Sequence, residues 1–73
     1  MPIVRIDLLE GRTPERKAEL IRRVTAAVAG ALEVAPDQVR VLLAEVAPEH
    51  WGVGGRSLAE RAADRKDTNH ADA

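Results

Sequence analysis

Two short runs of this chain, Ile3 to Leu9 and Val39 to Val46, are apolar on both faces of an extended strand, and a single amphipathic helix lies between them. In the first run Val4, Ile6 and Leu8 point one way and Ile3 and Leu9 the other, with Arg5 and Asp7 interrupting that second side. Alternation of this kind is the period of a strand. The second run reads Val-Arg-Val-Leu-Leu-Ala-Glu-Val and is again apolar on both sides. Between the runs, Leu20, Ile21, Val24, Ala27, Val28, Ala31 and Leu32 recur at spacings of three and four, and Arg16, Lys17, Glu19, Arg22 and Arg23 fill the opposite face. The stripe predicts a helix over residues 14–33, with Thr13 as N-cap, Pro14 at the first helical position and Glu15 placed against the helix dipole. Strand, long helix and strand are most simply joined as a parallel, right-handed βαβ unit. One helix covers one face of a two-stranded sheet, so other copies of the chain must bury the second face. The expected fold class is α/β (α+β): a single βαβ unit with parallel strands, completed by oligomerisation into larger sheets.

Size and composition push the same way. A chain of 73 residues forms one small domain and buries too little surface to be comfortably stable without disulfides, a metal or a partner. It has no cysteine, Phe or Tyr, and Trp51 is its only aromatic residue, so Val, Leu, Ile and Ala must build the core. Disulfides and thiolate metal sites are thereby excluded, and the composition suits a reducing cytoplasm. With 11 basic and 12 acidic residues the formal net charge is −1, which supplies no field to hold nucleic acid or an anionic membrane. No signal-peptide tract and no apolar run of membrane-spanning length occurs, so a soluble, cytoplasmic protein is expected. His50 and His70 have no companion ligand at a useful spacing, and no metal site is expected.

The remaining segments are turns and a tail. Glu10, Gly11 and Arg12 read as a turn, and Pro36 with Asp37 ends the helical pattern. Pro48 to Gly55 contains three glycines and predicts a tight turn or a small C-terminal hairpin. Ser57 and Glu60 have the spacing of a capping box, which would start a short helix at residues also claimed by that hairpin. The expected organisation is one domain over residues 1–58, with Met1 removed, and a tail over 59–73 that forms a short helix or stays disordered.

Proline follows the initiator methionine, which is normally clipped before so small a residue, so Pro2 is expected to carry the free terminus as a secondary amine. Burial or neighbouring positive charge disfavours the protonated form of such an amine and brings its pKa toward neutrality, the property of a general base. Read together, Pro2, the Leu8-Leu9-Glu10-Gly11-Arg12 turn, the Val39-Arg40-Val41 strand and the His50-Trp51-Gly52-Val53-Gly54-Gly55 segment resemble the 4-oxalocrotonate tautomerase family. The resemblance covers residues 2 to about 58. It implies a cofactor-independent and metal-free keto-enol tautomerase of a small 2-hydroxy-dienoate or enol acid such as 2-hydroxymuconate, in a homohexamer built as a trimer of dimers. Pro2 would be the general base, Arg12 would bind the far carboxylate, and Arg40, from a neighbouring subunit, would engage the 2-oxo or enol oxygen and its adjacent carboxylate. Trp51 stands where the family usually has phenylalanine, and Leu9 and Val53 match further apolar lining positions. Guanidinium suits these tasks because it offers fixed, paired donors to carboxylate and developing oxyanion.

Simpler readings stand beside these. Arg12 could be a solvated turn residue, Arg40 could form an intersubunit ion pair with Glu45 or Asp7, and Trp51 could be the hydrophobic anchor of the oligomer. Two other functions are open. Hydration or dehalogenation of an unsaturated acid would need an added carboxylate near the hairpin, where this chain has Val53, Gly54, Gly55 and Arg56. A non-enzymatic oligomer could hold an anionic metabolite between Arg12 and Arg40. A biosynthetic enzyme, with Trp51 selecting a bulkier or more aromatic substrate, is an intermediate case.

Overall fold

The structure is a computed structural model, and it describes residues 1–64. Strand β1 (Ile3–Leu9) is followed by helix α1 (Pro14–Leu32) and strand β2 (Arg40–Val46). The two strands pair in parallel over their whole length, from Ile3 opposite Arg40 to Leu9 opposite Val46. The backbone ladder continues at both ends: Arg40 N–H donates to the Pro2 carbonyl at 2.9 Å, and Glu10 N–H donates to the Val46 carbonyl at 3.0 Å. The strand expected from Val39 begins one residue later. Pro36–Gln38 forms a 3₁₀ turn, and Val39 closes it by donating to the Pro36 carbonyl at 3.0 Å.

Helix α1 starts as its sequence dictates. The Thr13 side chain accepts from Arg16 N–H at 3.1 Å, Pro14 needs no amide partner at the first helical position, and Glu15 lies in the first turn. It ends at Leu32 rather than Glu33, because Glu33 adopts the left-handed conformation with φ 56 and its N–H returns to the Ala29 carbonyl. The inward stripe is narrower than its apolar spacing suggests. Leu20, Val24 and Val28 are half-buried and Ala29 is buried against the sheet, whereas Ile21, Ala27, Ala31 and Leu32 are exposed. On the outer surface Glu19 is paired with Arg22 and, at 2.6 Å, with Arg23. Hydrogen bonds from Arg22 and then Arg23 hold the Glu19 carboxyl below its ordinary range.

Helix α1 covers the sheet face bearing Val4, Ile6, Leu8, Val41 and Leu43, all half-buried. Ile3, Arg5, Asp7, Arg40, Leu42 and Ala44 share the other face and are exposed, Ile3 by 58% and Leu42 by 46%. Among the described residues only Ala29 and Val39 are buried hydrophobics, each 8% exposed. Such a chain has almost no closed core of its own, and its open sheet face is apolar between charges.

The C-terminal segment resolves the double claim on Ser57. A 3₁₀ turn (Pro48–His50) leads into a hairpin of β3 (Gly52–Val53) and β4 (Arg56–Ser57), antiparallel, with Val53 opposite Arg56. Gly54 at φ 61 and Gly55 at φ 86 supply the two positive angles that a two-residue turn of matching twist requires. Ser57 ends β4 and also caps the helical turns over residues 58–64, donating its N–H to the Glu60 carboxylate and accepting Glu60 N–H at its hydroxyl, both at 3.1 Å. Of the tail expected over residues 59–73, residues 65–73, with His70, lie outside the described residues.

Candidate active site

The parallel register sets Pro2 at the start of β1 beside Arg40 at the start of β2, joined by the 2.9 Å bond from Arg40 N–H to the Pro2 carbonyl. Pro2 is half-buried, and Met1 ahead of it is exposed. Arg40 lies on the open face, where its Nη1 donates to the Asp37 carbonyl at 2.6 Å. The remaining guanidinium N–H groups of Arg40 have no protein acceptor among the described residues. Glu45, one of the two acids considered as its partner, lies on the helix side and pairs with Lys17 at 2.9 Å. Arg40 therefore retains donors for an oxygen placed over the sheet edge.

Arg12 is held at the opposite end of β1. It follows the Glu10-Gly11 turn, in which Gly11 takes a positive φ of 125, and its Nη1 donates to the Leu9 carbonyl at 3.0 Å. At about 3.3 Å of rise per residue, the seven residues of β1 separate its ends by about 20 Å. Pro2 and Arg12 of one chain are thus too far apart to hold the two ends of a six-carbon acid.

A cleft of about 210 Å³ opens beside Arg12, between the end of β1 and the first turns of α1, lined by Leu8, Arg12, Arg16, Lys17 and Leu20. Of the two leucines that end β1, Leu8, on the helix side, lines the cleft, whereas Leu9 follows the open face of the sheet. Arg16 and Lys17 escape a motif-based reading because they look like members of a solvated helix face. Only the fold brings Lys17 against Glu45, 28 residues away in sequence.

Trp51 and Val53 are carried by the hairpin. Trp51 is half-buried, and its carbonyl accepts Leu58 N–H at 2.9 Å, one rung beyond the Gly52–Ser57 pair, so the hairpin fixes the backbone that bears the indole. Val53 is exposed at the hairpin edge. His50 is exposed as well. Among the described residues no three His, Asp or Glu side chains gather where they could share a metal ion. No helix among them is long and apolar enough to cross a membrane.

Comparison with known proteins agrees with this architecture. The sequence model described as "Tautomerase enzyme" matches residues 2–61. A 2-hydroxymuconate tautomerase of Pseudomonas sp. (strain CF600) is 46% identical over 60 residues, covering 82% of this chain and 95% of that protein. Among solved structures, a 4-oxalocrotonate tautomerase isozyme from Methylibium petroleiphilum superposes with a TM-score of 0.83 at 46% identity, covering 86% of this chain and 98% of that one. A heterohexamer 4-oxalocrotonate tautomerase from Chloroflexus aurantiacus J-10-fl gives a TM-score of 0.78 at 52% identity, covering 82% and 97%. A parallel βαβ unit closed by a small hairpin, with proline ahead of its first strand, defines a class of isomerases. The chain belongs to the tautomerase family, among the homologues of 4-oxalocrotonate tautomerase.

Proposed function

We propose that this enzyme ketonises a small 2-hydroxy-dienoate or enol acid such as 2-hydroxymuconate, with Pro2, freed of Met1, as its general base. The observation that carries the reading is the rung between the Pro2 carbonyl and Arg40 N–H at 2.9 Å, which holds a prospective amine at a fixed place on the sheet edge. The neutral ring nitrogen takes a proton from the dienol and returns one at another carbon of the conjugated chain. As the proton leaves, negative charge grows at the 2-oxygen, and the free N–H donors of an Arg40 guanidinium stabilise it there. Arg12 anchors the carboxylate at the far end, and Leu9, Trp51 and Val53 form a dry wall that, with the cationic surroundings, keeps the amine uncharged near neutral pH.

The separation of Pro2 from Arg12 along β1 favours sites shared between copies. We read the assembly as a homohexamer, a trimer of dimers, in which the open sheet faces are buried together and no nucleic acid or membrane takes part. A relative from Chloroflexus aurantiacus is a heterohexamer, which makes subunit composition a separate measurement.

Intact mass establishes whether Pro2 is the first residue, and ketonisation of 2-hydroxymuconate is then followed in wild type, Pro2→Ala and Arg40→Ala. Loss of about a hundredfold in kcat/KM in each variant, with assembly intact, is the expected result. The wild-type rate should rise as one group near neutrality loses its proton. A Pro2→Ala enzyme as fast as the wild type would overturn the reading.

A further inference from the structure

The cleft beside Arg12 contains a second guanidinium that the proposed chemistry does not use. Arg16 lies in the first turn of α1, its backbone N–H is committed to the Thr13 hydroxyl, and its side chain has no hydrogen-bond or ion-pair partner among the described residues. The third cation of the cleft differs. Lys17 is neutralised by Glu45 at 2.9 Å and sits half-buried as part of the helix-to-sheet packing. Arg12 spends one N–H on the Leu9 carbonyl and keeps the rest of its fork. Two guanidinium groups with unspent donors therefore share one opening, above a floor made by Leu8 and Leu20.

The geometry points to Arg16 as a specificity-determining residue that joins Arg12 in gripping the far carboxylate of the substrate, selecting extended dianionic dienols over monoanionic ones. This rests on the tautomerase reading above and deepens it. A single exposed arginine facing water discriminates weakly, because solvent screens its attraction. Two planar forks can satisfy both oxygens of one carboxylate at once, and the apolar floor accommodates the carbons leading to it while displacing water from one side. The paired Lys17 supplies shape and no free charge, so selectivity is assigned to the two arginines. The reacting end of the substrate, at a Pro2 about 20 Å away along this chain's own strand, would belong to another copy.

The test compares 2-hydroxymuconate with the monoacid dienol in which hydrogen replaces its second carboxylate, using wild type, Arg16→Gln and Arg16→Lys, each verified as wild-type in assembly by sedimentation. With 2-hydroxymuconate, Arg16→Gln is expected to raise KM about tenfold while kcat changes less than about twofold, and Arg16→Lys should recover part of the loss. With the monoacid neither constant should move. Equal effects on both substrates, or none on either, would refute the role of Arg16, as would an Arg16→Gln protein that fails to assemble while Arg16→Lys assembles but shows no substrate preference. Failure of the underlying reading looks different: wild type itself would then turn over neither dienol, or Pro2→Ala would turn over both.

Discussion

Leu42 gives the most direct handle on how this chain completes its core. It lies on the open face of the sheet and is still 46% exposed in the isolated chain. Fully burying a leucine side chain is worth about 1.5–3 kcal/mol, so about 0.7–1.4 kcal/mol per subunit remains to be gained when that face is covered. Over the six subunits of the proposed assembly this amounts to about 4–8 kcal/mol. Leu42→Ala removes most of it, and the cavity left behind offsets the methyl group that alanine keeps. Because assembly of six chains depends on the fifth power of the midpoint concentration, the dilution midpoint should rise by about four- to fifteenfold. Sedimentation velocity over a dilution series measures this shift, and the melting temperature of wild type should fall with dilution for the same reason. An unchanged midpoint in Leu42→Ala, or a wild type that stays monomeric at every concentration, would refute the argument that the open face is a buried interface.

The hairpin and the helix termini can be probed separately. Gly55→Ala places a side chain at φ 86 and should destabilise the hairpin by about 1–2 kcal/mol, lowering turnover while leaving the helical circular dichroism in place. A Gly55→Ala enzyme of normal stability and rate would show that the turn has another geometry in solution. Thr13→Ala removes the cap on Arg16 N–H and should cost about 1 kcal/mol in denaturant unfolding; no change in the midpoint would mean the cap is replaced by water at no cost. Glu60 is held below the ordinary carboxylate range first by the Ser57 backbone N–H and then by the Ser57 side chain. A depressed folded-state pKa means that its contribution is fully present above the ordinary glutamate value of about 4.3 and is lost as pH falls through the lower folded value. Carboxyl NMR should show Glu60 titrating below a free glutamate in wild type and moving upward in Ser57→Ala, and a wild-type Glu60 that titrates like a free glutamate would remove the capping box from solution.

The elements of the fold were legible because each has a local cause. Alternation marks β1, the Thr13-Pro14 pair marks the start of α1, and adjacent glycines at 54 and 55 mark a hairpin turn. The boundaries that shifted did so through single backbone features: the left-handed Glu33 shortens α1, and the 3₁₀ closure by Val39 delays β2. The apparent conflict at Ser57 dissolved because a residue can finish a strand with its backbone and cap a helix with its side chain. The site was legible only in part. Pro2 and Arg40 are 38 residues apart in number yet share a rung, a juxtaposition that follows once the strands are read as parallel. The Arg12-Arg16 opening does not follow from spacing, since Arg12 precedes the helix and its direction is set by the Gly11 turn. Which side of the sheet Leu8 and Leu9 line is likewise decided by the helix packed above, not by their identity.

The bond from Arg40 N–H to the Pro2 carbonyl has a practical consequence for anyone handling the protein. Peptide added ahead of Pro2 leaves from a clamped position and acylates the ring nitrogen, so with Pro2 as the proposed general base even a short affinity label there would silence the enzyme without unfolding it. Labels, fusions and surface tethers belong at the other end of the polypeptide.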